Sequence, residues 1–285
     1  MTLSLHQVRE LLDEHGLRPS RALGQNFVVD ANTVRRIARL SGAGPGDAVV
    51  EIGAGLGSLT LALAETGASI TAVEVDRRLV PLLRAQVERV GVRVVEADAL
   101  TLDWHELLDV PGPSVHGSSW MMVANLPYNV AVPVVLRALD EATAVEAMLV
   151  MVQREVGERL AASPGSSKAY GAVSVKVAYH ATARVVGRVP ASVFVPRPAV
   201  ESVLVRIERR RAVAVDPEIV PAARLFELVR AGFGHRRKML RQSLAGVVPP
   251  DAFVAAGIDP EARAENLGVE DWGRLAACAP GPAAS

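Results

Sequence analysis

The chain has 285 residues and a single cysteine, Cys278. One thiol cannot close an intramolecular disulfide, and a reduced, cytoplasmic home is the plain expectation. Lysine is scarce too. Lys168, Lys176 and Lys238 are the only lysines among 31 basic residues, and the rest are arginine. Arginine's planar, forked donors suit phosphate, although a GC-rich coding genome is the simpler source of that bias. There is no charge excess of either sign, with 31 basic against 31 acidic residues, so the global balance points to no partner. No apolar run approaches the roughly 18 residues of a membrane span. Residues 1–16 lack the apolar core of a signal peptide. No internal repeat, heptad or long apolar edge is present, so a monomer with no obligate protein partner is expected. The six histidines form no HxxxH or HxxE pair, so no metal site is expected. A GxSxG elbow and a GxxxxGK phosphate loop are also missing.

What is present is a rhythm. Half of the residues are hydrophobic, enough for a sizeable core. SLHQVRELLDEHG reads as a short amphipathic helix ending at Gly16, followed by an arginine-bearing loop, LRPSRALGQNFVV. Asp30 is placed to cap ANTVRRIARLSG, in which Val34, Ile37 and Ala38 share a helical face. From DAVVEI onward, short β-branched runs alternate with helical stretches: SLTLALAETG, SITAVEV, DRRLVPLLRAQVERVG, VRVVEA, SSWMMVA, AVPVVLRAL, EAMLVMVQ and REVGERLAA. Such alternation means βαβ units and a parallel sheet. GAVSVKVAYHAT is ambiguous by periodicity. ATARVVGRVP and ESVLVRIERR are expected to pair as an antiparallel hairpin at the sheet edge. After Arg211 the β rhythm stops, and Ile219, Ala223, Phe226 and Val229 repeat at helical spacing. RKMLRQSL, DAFVAAG and EDWGRLAACA also read as helices. Two domains follow, an α/β domain over 1–211 and an all-helical one over 212–285, with PGPAAS a frayed tail.

Chemistry-bearing residues gather at the carboxyl ends of the strands, where open α/β sheets bind ligands. EIGAGLG (51–57) follows the first strand. Glycine lets backbone approach a ligand with no Cβ in the way. A nicotinamide fingerprint would want glycine at 58, but Ser58 stands there, so GxGxG with a preceding acid suits a methyl-donor site better. A tight strand-to-helix turn is the plainer alternative. Glu74 ends the second strand, at the right offset to accept from a ribose. Asp98 follows the third and can accept from the adenine amine, although taken singly it reads as a turn or cap residue. NLPY (125–128) ends the fourth. The Asn125 amide oxygen and a backbone carbonyl can both accept from one amino group, Pro127 stiffens the turn, and Tyr128 offers a ring for stacking. Two acceptors on an aryl amine would aim its lone pair at a methyl donor without a strong base, once the base is unstacked.

GQNF (24–27), EIGAGLG, VEVD (73–76), ADA (97–99), NLPY and FVPRPAVES (194–202), with FGHRRKMLRQSL (233–244) and ARAENLGVEDW (262–272), occur in order over nearly the whole chain. In these motifs the sequence resembles the small-subunit ribosomal RNA adenine dimethyltransferases, the enzymes whose loss gives kasugamycin resistance. NLPY alone would also fit the large-subunit rRNA dimethylases; the tail motifs favour the small-subunit branch. The resemblance implies a Rossmann-like class I methyltransferase with a seven-stranded, mostly parallel sheet and a small C-terminal helical domain. It implies S-adenosylmethionine as cofactor, met by Asn26, the backbone of Val28, Gly53, Gly55, Glu74, Asp98 and Asn125. Asn125, Leu126, Pro127, Tyr128 and Phe194 would carry the target adenine, with Tyr128 and Phe194 sandwiching the ring. The product would be N6,N6-dimethyladenosine at two adjacent adenosines in the 3′-terminal hairpin of 16S rRNA, within the assembling 30S subunit. Val28, Leu23 and Ala54 stand where the family usually has Leu, Phe and Pro. These are mild departures. Residues 206–241 hold ten Arg or Lys against four Asp or Glu. Arg209, Arg210, Arg236, Arg237, Lys238 and Arg241 are therefore candidate phosphate contacts, against the commoner fate of a solvated face. Arg18 and Arg21 are weaker candidates.

Overall fold

The computed structural model describes residues 2–20, 22–109, 119–166 and 168–279. Arg21, Ser118 at the start of SSWMMVA, and the PGPAAS tail lie outside the described residues. The N-terminal helix α1 (Leu5–Glu14) opens with Ser4 and Gln7 in a reciprocal capping box. Strand β1 (Phe27–Val28) and helix α2 (Ala31–Ser41) follow. Asp30 caps α2, accepting from the Thr33 backbone at 2.7 Å and its hydroxyl at 2.6 Å, and Val34, Ile37 and Ala38 are buried as expected.

The α/β alternation then runs as the sequence predicts, with one helix, α5, that it does not: β2 (Ala48–Ile52), α3 (Ser58–Ala64), β3 (Ser69–Glu74), α4 (Val80–Val87), β4 (Arg93–Glu96), α5 (Trp104–Leu108), β5 (Trp120–Asn125), α6 (Ala131–Glu141), β6 (Val145–Gln153) and α7 (Arg154–Leu160). Every residue of β2 is buried, as befits a strand with parallel neighbours on both sides and cover on both faces. Helix α8 (Ala172–His180), β7 (Ala181–Val189), β8 (Phe194–Val195) and β9 (Ser202–Arg209) complete the β-containing part. The seven-stranded sheet has the order β4-β3-β2-β5-β6-β9-β7, and β1 pairs with β8 in a separate two-stranded ribbon. The pairs joining β4, β3, β2, β5 and β6 are all parallel, and β9 runs antiparallel to β6. Strand order reverses between β2 and β5, which makes their carboxyl ends the natural crevice. β7 and β9 are neighbours as expected, but β9 is inserted beside β6, so of these two strands β7 alone lies at a sheet edge.

Helices α9 (Ala222–Gly234), α10 (Leu240–Ser243), α11 (Pro250–Ala256) and α12 (Val269–Cys278) make up the tail. Two compact units result: residues 1–157 with 185–208, and residues 158–184 with 209–285. The single expected boundary near 212 is thereby corrected, because α8 belongs with the tail. Tyr170, Val175 and Tyr179 pack in one apolar cluster with Leu225, Leu228, Leu240 and Trp272. The Tyr170 hydroxyl donates to the Leu267 carbonyl at 2.7 Å. Of the four residues at helical spacing, Val229 is buried in this cluster and Phe226 packs against it, while Ile219 precedes α9. Leu225, Leu228 and Val229 are buried, whereas Ile219 is 70% exposed. Among the described residues, no helix is long and apolar enough to cross a membrane.

Candidate active site

All chemistry-bearing residues that the sequence places at the strand ends lie in the first unit. They line two adjoining cavities that share Leu23, Gly53, Val75, Leu126 and Pro127. The first holds the glycine turn, Glu51, Glu74, Asn26, Val28, Asn125 and Tyr128. The second is an apolar slot between Ile52, Val73, Ala99, Leu126 and Val134, with Asp98 in its wall.

The glycine turn bends where only glycine is unstrained. Gly55 has φ 59°, and a Cβ there would stand 3.1 Å from the Phe27 ring. Glu74 holds this turn. Its Oε2 accepts from the Gly55 amide at 2.7 Å, and its Oε1 accepts from the Asp76 amide at 2.8 Å. Burial pushes the Glu74 carboxyl above the usual carboxylate range, those two amides pull it back, and the Asp76 charge adds to the rise. Asp98 is exposed, and its Oδ1 accepts from the Leu100 amide at 2.9 Å. The turn reading and the ligand reading of Asp98 are therefore compatible, since a carboxylate has lone pairs to spare.

A loop from the N-terminal side closes over NLPY. Asn125 donates its amide to the Asn26 carbonyl at 3.0 Å, and Asn129 donates to the Ala22 carbonyl at 3.3 Å. Gln25 donates to Asp76 at 2.9 Å. Asp76 is also gripped by the Arg78 guanidinium at 2.9 and 2.7 Å, and that charge-assisted pair lowers its carboxyl to about 2. At Gly24 (φ 62°) a Cβ would come within 2.9 Å of the Asn129 side chain, so the loop can lie this close only with glycine there.

Tyr128 lines the first cavity, and its hydroxyl lies 3.4 Å from Ser202 Oγ. Ser202 is buried at the start of β9. Ser202→Ala is expected to raise a few-fold the KM of a substrate whose ring stacks on Tyr128, since losing one neutral hydrogen bond costs about 1 kcal/mol. An unchanged KM would show that this bond does not set the ring. Phe194 is not brought to either cavity. It is 3% exposed, paired through β8 with Val28. Leu126 and Pro127 line both cavities.

The basic candidates lie in the second unit. Arg237 and Lys238 are exposed. Arg236 pairs with Glu265 at 3.0 Å and Arg241 with Glu261 at 3.3 Å. Arg210 donates to the Ala178 carbonyl at 3.0 Å, so part of its role is structural. Arg209 is also engaged in an interaction of its own. Residues that carry the site without having been given roles from sequence are Glu51, Gln25, Asp76, Asn129 and Ser202. All but Asn129 sit inside the motifs quoted above, and Asn129 directly follows NLPY. What hid them was that their partners are distant in sequence. Among the described residues, no group of His, Cys, Asp and Glu could hold a metal ion.

A glycine turn pinned by a strand-end carboxylate, an apolar slot with a carboxylate in its wall, and an asparagine beside both, on this sheet order, define a Rossmann-like methyltransferase. The sequence profile of the ribosomal RNA adenine dimethylases matches residues 17–279. The ribosomal RNA small subunit methyltransferase A of Kineococcus radiotolerans is 47% identical, covering 99% of this chain and 93% of that protein. Its counterpart in Leifsonia xyli subsp. xyli is 48% identical over 95% of this chain and 96% of its own length. The crystal structure of the 23S rRNA methyltransferase ErmE superposes with a TM-score of 0.67 at 26% identity, covering 88% of this chain and 98% of that one. A dimethyladenosine transferase from Plasmodium falciparum shares the fold at 21% identity, with a TM-score of 0.70 over 86% of this chain and 94% of its own. This chain belongs to the ribosomal RNA adenine dimethylase family and is an S-adenosylmethionine-dependent methyltransferase.

Proposed function

We propose that the enzyme dimethylates N6 of two adjacent adenosines in the 3′-terminal hairpin of 16S rRNA, acting as a cytoplasmic monomer on the assembling small subunit. The observation that carries the chemistry is the Asn125–Asn26 bond. It commits one Asn125 amide hydrogen to the loop carbonyl, which turns the amide oxygen away from that bond as an acceptor for the target amine. The two cavities fit the cofactor by their donor sets. Glu74, already ordering the glycine turn, stands where a ribose would lie, and Asp98 flanks a flat apolar slot suited to adenine. Asn26, Val28, Gly53 and Gly55 line the methionine end. When bound, S-adenosylmethionine supplies an electrophilic sulfonium methyl group.

The chain's own residues do the rest by placement. Asn125 Oδ1, with a backbone carbonyl of NLPY, accepts from the exocyclic amine and holds its lone pair toward the cavity. Pro127 and Leu126 fix the turn, and Tyr128 stacks on the flipped base. Stacking on Phe194 as well needs its ring to turn out of the core. No strong base is needed, because the amine proton becomes acidic as the N–C bond forms. Arg237 and Lys238, which are exposed, are the better phosphate contacts, with Arg209, Arg210, Arg236 and the exposed but ion-paired Arg241 adding charge around them. The small-subunit assignment draws on the 46–48% identical relatives.

The test is methyl incorporation from labelled S-adenosylmethionine into small subunits lacking the modification, fully modified small subunits, large subunits and duplex DNA, followed by nucleoside analysis. Dimethyladenosine in the unmodified small subunits alone is expected. Label in large subunits would move the target to that branch. No label anywhere would leave an assembly-factor role as the better reading. At the adenine end, Asp98→Ala is expected to weaken cofactor binding about tenfold, the share of one hydrogen bond to a charged group. Unchanged affinity by calorimetry would remove Asp98 from the site.

A further inference from the structure

Glu51 is the one carboxylate of the first cavity that its own fold does not satisfy. It lies within β2, is 1% exposed, and lines the cavity that holds the glycine turn but not the one that holds Asp98. Its Oε2 has no hydrogen-bond partner among the described residues. Two groups face it. The Thr60 hydroxyl, buried on α3, has no well-formed hydrogen bond of its own, and the Glu74 carboxylate on β3 carries like charge. Among the described residues that line this cavity are two carboxylates, Glu51 and Glu74, and no Lys, Arg or His. A lone buried carboxylate in such company keeps its proton: burial raises Glu51 to about 8, Thr60 offsets part of this, and Glu74 adds to it. Glu74 differs in that both of its oxygens already accept from backbone amides.

A buried acid with an open oxygen, in a wall without cations, is a receptor for a positive charge. We propose that Glu51 receives the ammonium group at the methionine end of the cofactor and releases its proton to solvent as the cofactor binds. The balance is simple. Neutral Glu51 plus cationic ligand gives a carboxylate–ammonium pair and one proton. No bond in the cofactor changes. Cofactor binding is then linked to pH. The free protein holds a proton that the complex lacks, so affinity rises with pH by about tenfold per unit while Glu51 is protonated in the free protein. The window closes near pH 7.5, where the ligand's own amino group begins to lose its charge.

This rests on placing S-adenosylmethionine in this cavity, and the ligands chosen separate the two claims. Calorimetry at pH 6.5 in two buffers of different ionisation enthalpy counts the protons. The wild type is expected to release close to one proton per S-adenosylmethionine and also per S-adenosylhomocysteine, which keeps the ammonium but not the sulfonium. It should release none with methylthioadenosine, which lacks both. Glu51→Gln should bind methylthioadenosine normally and release no proton with any ligand. Binding of all three ligands with no proton release by the wild type would overturn the role of Glu51. So would release that survives in Glu51→Gln, which would point to Glu74. Release with S-adenosylmethionine but not S-adenosylhomocysteine would overturn the ammonium assignment in favour of the sulfonium. Failure of all three to bind would instead overturn the cavity assignment. If Glu51→Gln does not fold, the wild-type counts with the three ligands still decide.

Discussion

Asn125→Ala is expected to lower the rate of methyl transfer by about 10²–10³-fold in single-turnover experiments, with cofactor affinity changed far less. Truncation removes the oxygen that would accept from the target amine, and an acceptor set in advance against developing charge contributes on that scale. It also takes away the donor that binds the Asn26 carbonyl at 3.0 Å, so the loop over the site loses one of its ties. The Gln25–Asp76 and Asn129–Ala22 bonds remain, which is why the cavity should keep its shape. Asn125→Asp separates the two contributions. It retains an acceptor but turns a carboxylate toward the Asn26 carbonyl, which should displace the loop and slow transfer as well. A rate for Asn125→Ala within tenfold of the wild type would mean that the amine is held elsewhere.

The second large effect is expected at Glu74. Glutamine keeps the shape but has one acceptor oxygen where glutamate has two. Both glutamate oxygens are in use, on the amides of Gly55 and Asp76. One of those buried amides must then face an NH₂ group, a loss of about 1–3 kcal/mol in folding stability. The same change weakens the acceptor offered to the ribose hydroxyls, and the glycine turn it orders is itself part of the cofactor site. Together these should reduce S-adenosylmethionine affinity by about a hundredfold, at 1.4 kcal/mol per factor of ten. Thermal melting and calorimetry on the same preparation check both. A variant that melts like the wild type and binds normally would contradict the role given to the carboxylate. A variant that is only less stable would confine Glu74 to supporting the turn.

Much of the first unit was legible because its signals are local. A strand covered on both faces is largely apolar, and AVVEI and SITAVE read that way except at Glu51, Ser69, Thr71 and Glu74. A glycine turn must follow β2 for the chain to reverse without strain, and Gly55 and Gly57 do have positive φ. GAVSVKVAYHAT was not legible. Its β-branched residues suit a strand, yet it forms α8, because Val175 and Tyr179 bury against a cluster from the tail. The same limit applied to α9. Of the helical stripe, Val229 and Phe226 do meet the cluster, but Leu225 and Leu228 join them there and Ile219, which precedes the helix, is exposed. Phe194 looked available in FVPRPAVES and is buried in the apolar core beside β1.

By itself, then, the sequence determined the α/β rhythm, the glycine turn, and the placing of Glu74, Asp98 and Asn125 at strand ends, since period, chain reversal and strand termination are properties of neighbours along the chain. Only the tertiary structure decided the insertion of β9 between β6 and β7, the transfer of residues 158–184 to the helical unit, the loop drawn across NLPY by Asn125, Gln25 and Asn129, and the isolation of Glu51. Each of these depends on partners far apart in sequence, and whether a buried polar atom is satisfied is set by which partners the completed fold brings within reach.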